Sequence, residues 1–229
     1  MTQYIFPAPV QPSVAIHESD QRFPVRRIFC VGKNYADHVR EMGGDPKSDP
    51  PFFFSKAADA LVADGATIPY PQMTTNFHHE AELVVAIGKG GVEIAAADAM
   101  DHVWGYATGN DLTRRDLQSD AKNAGRPWDM SKGFDNAAVC GAILPLAQCS
   151  GVDAAQIRAV VNGAATQDST TGEMIWSVPE IIAYLSRFVT LAAGDLIFTG
   201  TPDGVGPLVS GDSCTVEING LPSVTVTIA

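Results

Sequence analysis

The stretch Phe77-His78-His79-Glu80-Ala81-Glu82-Leu83-Val84-Val85-Ala86-Ile87 decides how the chain is read. Its second half is apolar and rich in β-branched residues, which predicts a strand. On a strand, Glu80 and Glu82 point to one face, because side chains alternate. On a helix the same spacing would part them. Two acids on one face of an apolar strand are costly unless something positive lies between them. A hard divalent cation meets that need, since Mg²⁺ is commonly held by one or two carboxylates plus water and ligand oxygens. The alternative is an exposed strand end that happens to carry two acids.

The surrounding composition narrows the classes of function. The 229 residues suffice for one full hydrophobic core. The 21 glycines and 15 prolines suggest many turns and irregular connections, not long helices. A formal net charge of -11 without a basic run argues against nucleic acid as a partner. Cys30, Cys140, Cys149 and Cys214 are scattered without a Cys-x-x-Cys. They read as free, mostly buried thiols in a reducing cytoplasm. The opening MTQYIFPAPVQP lacks a signal peptide's basic start and apolar core. No apolar stretch reaches membrane-spanning length, so no membrane partner is expected.

Residues 1–24, punctuated by Pro7, Pro9, Pro12 and Pro24, read as an N-terminal arm or short edge element. Residues 25–229 read as one domain. Residues 25–31 predict a first core strand. Residues 34–42 predict a short helix, stopped by Gly43-Gly44, with His38 and Glu41 on one face. A carboxylate beside an imidazole makes a base for a water molecule; an ordinary polar pair on a surface helix has the same spacing. Residues 45–51 predict a loop that, with that helix, forms a movable cover. Phe52-Phe53-Phe54 is expected to enter the core, and Lys56 to face solvent in preference to a cavity.

Further along, residues 94–103 predict a short helix and residues 104–110 a strand. Thr113 with Asp116 resembles the start of a helix cap, which leaves Asp111 outside the helix as a second cap or for another purpose. Arg115 and Gln118 lie three apart on that helix and can address one ligand. Residues 124–136 predict an irregular stretch in which Lys132 is either a surface residue, the reading the residues alone favour, or an oxyanion stabiliser. Residues 157–161 predict a strand entering a turn at Asn162-Gly163, residues 169–174 a loop, and residues 179–188 a helix. That helix has a packing stripe of Ile181, Ile182, Leu185 and Phe188. The run Thr199-Gly200-Thr201-Pro202-Asp203-Gly204-Val205-Gly206 offers backbone donors and hydroxyls that suit a carboxylate. The last residues predict a closing hairpin around Asn219-Gly220. Many strands with few short helices imply an α+β fold built on a mixed sheet or roll.

Five motifs in order carry a resemblance to a known family. They are Val31-Gly32-Lys33-Asn34-Tyr35-Ala36-Asp37-His38, His79-Glu80-x-Glu82, Asp111-Leu112-Thr113-x-Arg115-Asp116, Ser131-Lys132-x-Phe134-Asp135 and Thr199-Gly200-Thr201-Pro202-x-Gly204-Val205-Gly206. Over residues 25–218 the chain resembles the fumarylacetoacetate hydrolase family, in its short acylpyruvate hydrolase branch. The resemblance implies a mixed β-sandwich roll of that family's C-terminal-domain type and a homodimer. It implies Glu80, Glu82 and Asp111 as ligands of Mg²⁺ or Mn²⁺, and His38 with Glu41 as the water-activating dyad. Lys132 matches the oxyanion-stabilising lysine, and Arg115, Gln118 and Thr201 match substrate contacts. Lys33 stands where close relatives often carry arginine and is assigned no role.

The implied reaction is carbon–carbon hydrolysis of a 2,4-dioxo acid, with the cover over residues 34–51 limiting bulk water. Phe23-Pro24-Val25-Arg26-Arg27-Ile28 and Asp49-Pro50-Pro51-Phe52-Phe53-Phe54 look most like the enzymes that split fumarylpyruvate into fumarate and pyruvate in gentisate-type aromatic degradation. Oxaloacetate decarboxylation, or tautomerisation or isomerisation of a related oxo acid, would use the same site. A noncatalytic acid-binding protein is the most distant alternative.

Overall fold

The computed structural model describes residues 3–36 and 50–229. Its centre is the strand expected after the paired glutamates, β8 (Ala81–Ile87), buried along its whole length. Such a strand needs apolar partners on both faces. β8 lies within an eight-stranded mixed sheet whose order is β4 (Phe52–Lys56), β3 (Arg27–Gly32), β15 (Asp195–Phe198), β8, β9 (Val103–Asp111), β11 (Ala138–Cys140) and β5 (Leu61–Val62), with β12 (Leu144–Pro145) also paired to β9. β15–β3 and β11–β5 are parallel; β8 is antiparallel to both its neighbours.

Alternation along β8 sorts its side chains between two cores. Leu83, Val85 and Ile87 enter the larger one. There they meet a five-stranded sheet of order β14 (Ala164–Thr170), β13 (Gln156–Val161), β17 (Ser213–Ile218), β18 (Val224–Ile228) and β6 (Ala66–Ile68). Ile157, Val216 and Val226 supply its half of that core. Val84 and Ala86 enter the smaller core with Ile28, Cys30, Ala107 and Phe198. Its outer side is closed by a hairpin of β1 (Ser13–Ala15) and β2 (Arg22–Pro24), through Val14 and Phe23. A three-stranded sheet, β10 (Thr113–Arg114), β7 (Phe77–His79) and β16 (Gly206–Leu208), sits where β7 and β8 are broken apart at Glu80. Among the described residues are the α-helices α1 (Arg115–Asn123), α2 (Asp129–Lys132) and α3 (Val178–Leu185).

Several local expectations need correction. The short helix expected at 94–103 is present but confined to a 3₁₀ helix over Ala96–His102. Thr113 does not cap α1: its hydroxyl donates to Asp111 O, Arg114 occupies the cap position, and Asp116 instead accepts from the Thr74 hydroxyl and the Thr75 N–H. The stretch 124–136 contains α2, and β14 runs on to Thr170 before a 3₁₀ turn, so the polar stretch at 169–170 is strand and not loop. α3 ends at Leu185; Ile181, Ile182 and Leu185 are buried, but Phe188 lies past the end and is 67% exposed. Phe52 is also exposed, because β4 is an edge strand, while Phe53 and Phe54 are partly covered. All four cysteines are free thiols, and three of them are buried. Among the described residues, no helix is long and apolar enough to cross a membrane.

Candidate active site

The break between β7 and β8 gives Glu80 its place. Its backbone N–H donates 2.9 Å to the Asn110 side chain, and its carbonyl accepts 2.9 Å from Asp111 N. That couples the break to the end of β9. Glu82 pairs across the ladder with Gly109, and Asp111 closes the same strand. Glu80, Glu82 and Asp111 are all buried, and one carboxylate oxygen from each falls within 4.8 Å of the others. The two glutamates therefore do share a face, and they meet an acid from the neighbouring strand.

Three cationic side chains neutralise this trio. Lys132, at the end of α2, donates to Glu80 Oε2 at 2.7 Å and to Asp111 Oδ2 at 2.8 Å. Arg115, at the start of α1, donates to Glu80 Oε1 and to Gln118 Oε1, each at 2.5 Å. Lys56, at the end of β4, donates to Leu112 O at 3.0 Å and to Lys132 O. Its ammonium lies 2.6 Å from Asp111 Oδ1, an ion pair without the angle of a hydrogen bond, so that buried oxygen keeps no hydrogen-bond donor. All three cations are less than 9% exposed. This corrects the expectations that Lys56 faces solvent and that Lys132, on residue type alone, lies at the surface. Long-range acids hold both lysines inside.

The charges act on one another as their positions require. Burial, then the negative charges of Asp111 and Glu80, push the Glu82 carboxyl well above the usual range; Lys132 and the Gly200 N–H, 2.8 Å from Glu82 Oε2, oppose this. Burial pulls the Lys132 ammonium down, but Asp111 and Glu80 outweigh it and hold it above its ordinary value. His78 falls to about 4 through burial and then the nearby Arg115. Burial, then Asp111, raise the neighbouring Cys30 thiol, so no thiolate joins the acids.

The trio fits a divalent cation. Its donors are all hard oxygens, and one oxygen from each carboxylate lies within 4.8 Å of the others, near the roughly 4.2 Å between opposite ligands of an octahedral Mg²⁺. Glu82 is costly as an anion until a positive charge is added.

Glu80, Glu82, Lys132, Arg115, Gln118 and Thr201 line one pocket of about 520 Å³, counting its open mouth. Phe54 and Trp128 give it an apolar side, and Lys33 also borders it. His38 and Glu41 lie outside the described residues. Sequence reasoning missed Lys56, Asn110 and Gln167 as contributors. Asn34, in the first motif, is fully buried, and its side-chain amide donates to Thr199 O at 2.8 Å and Trp176 O at 3.0 Å. A second cleft, between Tyr106, Leu146 and Val178, is larger and mostly apolar. Among the described residues it holds no trio of potential ligands.

The profile of the family described as fumarylacetoacetate (FAA) hydrolase C-terminal matches residues 27–229. A fumarylpyruvate hydrolase from Ralstonia sp is 44% identical over 184 residues, 80% of this chain and 95% of that relative. The oxaloacetate tautomerase FAHD1, mitochondrial, from Homo sapiens is 42% identical over 200 residues, 87% of this chain and 90% of that protein. Among solved structures, the fumarylpyruvate hydrolase from Pseudomonas aeruginosa in complex with Mn²⁺ and pyruvate superposes with a TM-score of 0.96 at 49% identity, covering 99% of each chain. The chain belongs to the fumarylacetoacetate hydrolase family.

Proposed function

We propose that this protein is a divalent-metal-dependent hydrolase of the carbon–carbon bond of a 2,4-dioxo acid, with fumarylpyruvate as substrate and fumarate and pyruvate as products. One observation carries the reading: three buried carboxylates face three buried cations, and Glu80, Glu82, Arg115 and Lys132 of that cluster line one pocket, with Asp111 and Lys56 behind them. With the acids ionised, as ligation requires, that cluster is formally neutral. A divalent ion adds two positive charges in a low-dielectric site, and a dianionic ligand balances them. Fumarylpyruvate is such a dianion.

Glu80, Glu82 and Asp111 would hold the ion, Mg²⁺ or Mn²⁺. When bound, it supplies Lewis-acid stabilisation of enolate charge. Arg115, steadied by Gln118, and Thr201 would bind the acid group and carbonyl oxygens of the substrate. Lys132 uses two of its N–H groups on Glu80 and Asp111; the third is available to the alkoxide that forms when water adds to the distal carbonyl. His38, oriented by Glu41, would take the proton from that water. Collapse of the alkoxide breaks the carbon–carbon bond, releasing fumarate and pyruvate enolate, and the enolate takes up a proton to give pyruvate. The resemblance supports a homodimer and a place in gentisate-type aromatic degradation; the four free cysteines support a reducing cytoplasm, and the proline-punctuated start supports an arm over 1–24 before a catalytic domain over residues 25–229.

The similarity to oxaloacetate tautomerases, close to that with the hydrolase, favours a second reading in which the site moves a proton on oxaloacetate or removes CO₂ from it. Oxaloacetate is also a dianion, and neither reaction needs an attacking water. A panel of fumarylpyruvate, maleylpyruvate, acetylpyruvate and oxaloacetate, run with Mg²⁺ and with Mn²⁺, separates the two. Hydrolysis yields fumarate and pyruvate in equal amounts. Turnover of oxaloacetate alone would overturn the first reading.

A further inference from the structure

Gln167 is the one buried residue of β14, at 1% exposure, on a strand that otherwise faces solvent. The register explains how it turns inward. Ala159 faces Gln167 and Val160 faces Ala165, so Thr166 is an extra residue that bulges the strand. Bulges re-aim the side chains beside them. The loop that follows β15 packs on this bulge: Gly204 has φ +82°, and a Cβ there would come within 2.3 Å of Thr166 O.

The Gln167 amide bridges two segments of the pocket floor. Its oxygen accepts from Ala81 N at 2.9 Å and lies 3.2 Å from His79 Nδ1. Its nitrogen donates to Pro202 O at 2.8 Å, Asp203 O at 3.3 Å and Thr201 Oγ1 at 2.8 Å. Backbone partners fix which end is which. A backbone N–H can only donate and backbone carbonyls can only accept, so the amide cannot be flipped. His79 must then carry its proton on Nδ1. Thr201 Oγ1 must act as acceptor toward Gln167, and its own proton is left to point elsewhere. Thr201 borders the pocket.

We infer that Gln167 is a positioning residue for the ligand pocket: it ties the Thr201 loop to the strand break that carries Glu80, and it reserves the Thr201 hydroxyl proton for a ligand oxygen. The second half rests on the proposed reading of the pocket as an oxo-acid site.

The test measures Mn²⁺ affinity, Mn²⁺-dependent oxalate affinity and thermal midpoint for the wild type, Gln167→Met, Gln167→Glu, Thr201→Val and the Gln167→Met/Thr201→Val double variant. Gln167→Glu keeps an acceptor for Ala81 but sets a second acceptor against the carbonyls and Thr201. Gln167→Met, Gln167→Glu and Thr201→Val should each weaken oxalate binding about tenfold, the order expected for one hydrogen bond to a charged ligand. In Thr201→Val, Mn²⁺ affinity should stay within about threefold, because the acid trio and the Gln167–Ala81 bond are untouched. The double variant should be no weaker than either single, since both remove the same contact. If Gln167→Met does not fold, Gln167→Glu and Thr201→Val carry the comparison. Unchanged oxalate affinity in folded Gln167 variants, or losses that multiply in the double, overturns the inference. If the wild type itself does not bind oxalate, the oxo-acid reading fails; the thermal midpoints then decide the tie, and additive losses at 167 and 201 overturn it as well.

Discussion

Replacing Lys56 by methionine keeps most of the side-chain volume and removes a buried positive charge. Asp111 Oδ1 loses its only ion-pair partner at that oxygen among the described residues, and the carbonyls of Leu112 and Lys132 lose a donor. Lys132 stays on Asp111 Oδ2, so the trio is left one positive charge short. Removing one member of a buried ion pair typically costs about 3–5 kcal/mol, because the remaining charge is stranded. Against a usual domain stability of about 5–15 kcal/mol, that is a large share. For a chain of this size each kcal/mol moves the midpoint by about 2–4 °C, so Lys56→Met should melt roughly 6–20 °C lower in EDTA. Saturating Mn²⁺ should recover part of the loss, since ligand at about 100 times its Kd contributes about 2.7 kcal/mol, and the variant's unbalanced acids should bind the ion at least as well. Urea unfolding with and without metal reads both quantities. A variant as stable as wild type in EDTA would refute the assignment of Lys56 as a structural counter-charge. A much weaker Mn²⁺ Kd than in the wild type, with correspondingly less stabilisation at the same free Mn²⁺, would refute its coupling to the acids.

Three further perturbations probe separate parts of the site and scaffold. Gly200→Ala forces a Cβ to 2.7 Å from Asn34 Cβ at φ +96° and shifts the N–H that serves Glu82, so stability should drop by about 1–3 kcal/mol and Mn²⁺ should bind more weakly in calorimetry. Arg115→Lys keeps the charge but loses the fork across Glu80 and Gln118; KM for the oxo acid should rise about tenfold with kcat less affected, and an unchanged KM would remove Arg115 from substrate binding. At the start of α3, the Ser177 hydroxyl and N–H both donate to Glu180 and hold its carboxyl below the ordinary value. A depressed folded pKa means that the contribution is fully present above the unfolded value near 4.5 and is lost as pH falls through the folded one. Ser177→Ala should therefore cost about 0.5–2 kcal/mol at pH 7, with the gap from wild type narrowing as unfolding is measured at progressively lower pH.

What could be read in advance follows from how far each signal reaches along the chain. The apolar, β-branched run gave away β8 as a strand, and period-two alternation put Glu80 and Glu82 on one face. Asp111 was legible only because the family motif singled it out; nothing local says that the end of β9 lies beside the break at Glu80. Lys56 and Lys132 were misread on residue type because the acids that keep them inside are 55 and 52 residues away. Gln167 gave no signal, since the bulge that turns it inward exists only once β13 and β14 pair. Phe188 shows the opposite error: the spacing was right, but the helix stops at Leu185 before reaching it.

The way Gly200 reaches Glu82, across 118 residues, has a consequence for how long the protein lasts. The donors around the trio come from β4, the β7–β8 junction, the end of β9, α1, α2 and the loop after β15. The three carboxylates lie within residues 80–111, but the counter-charges and the N–H that balance them come from β4, α1, α2 and the loop after β15, so only the closed fold carries the balanced set. An ion that binds this balanced set in preference to the open chain would act as a brake on opening. The protein's lifetime is then what metal supply would govern.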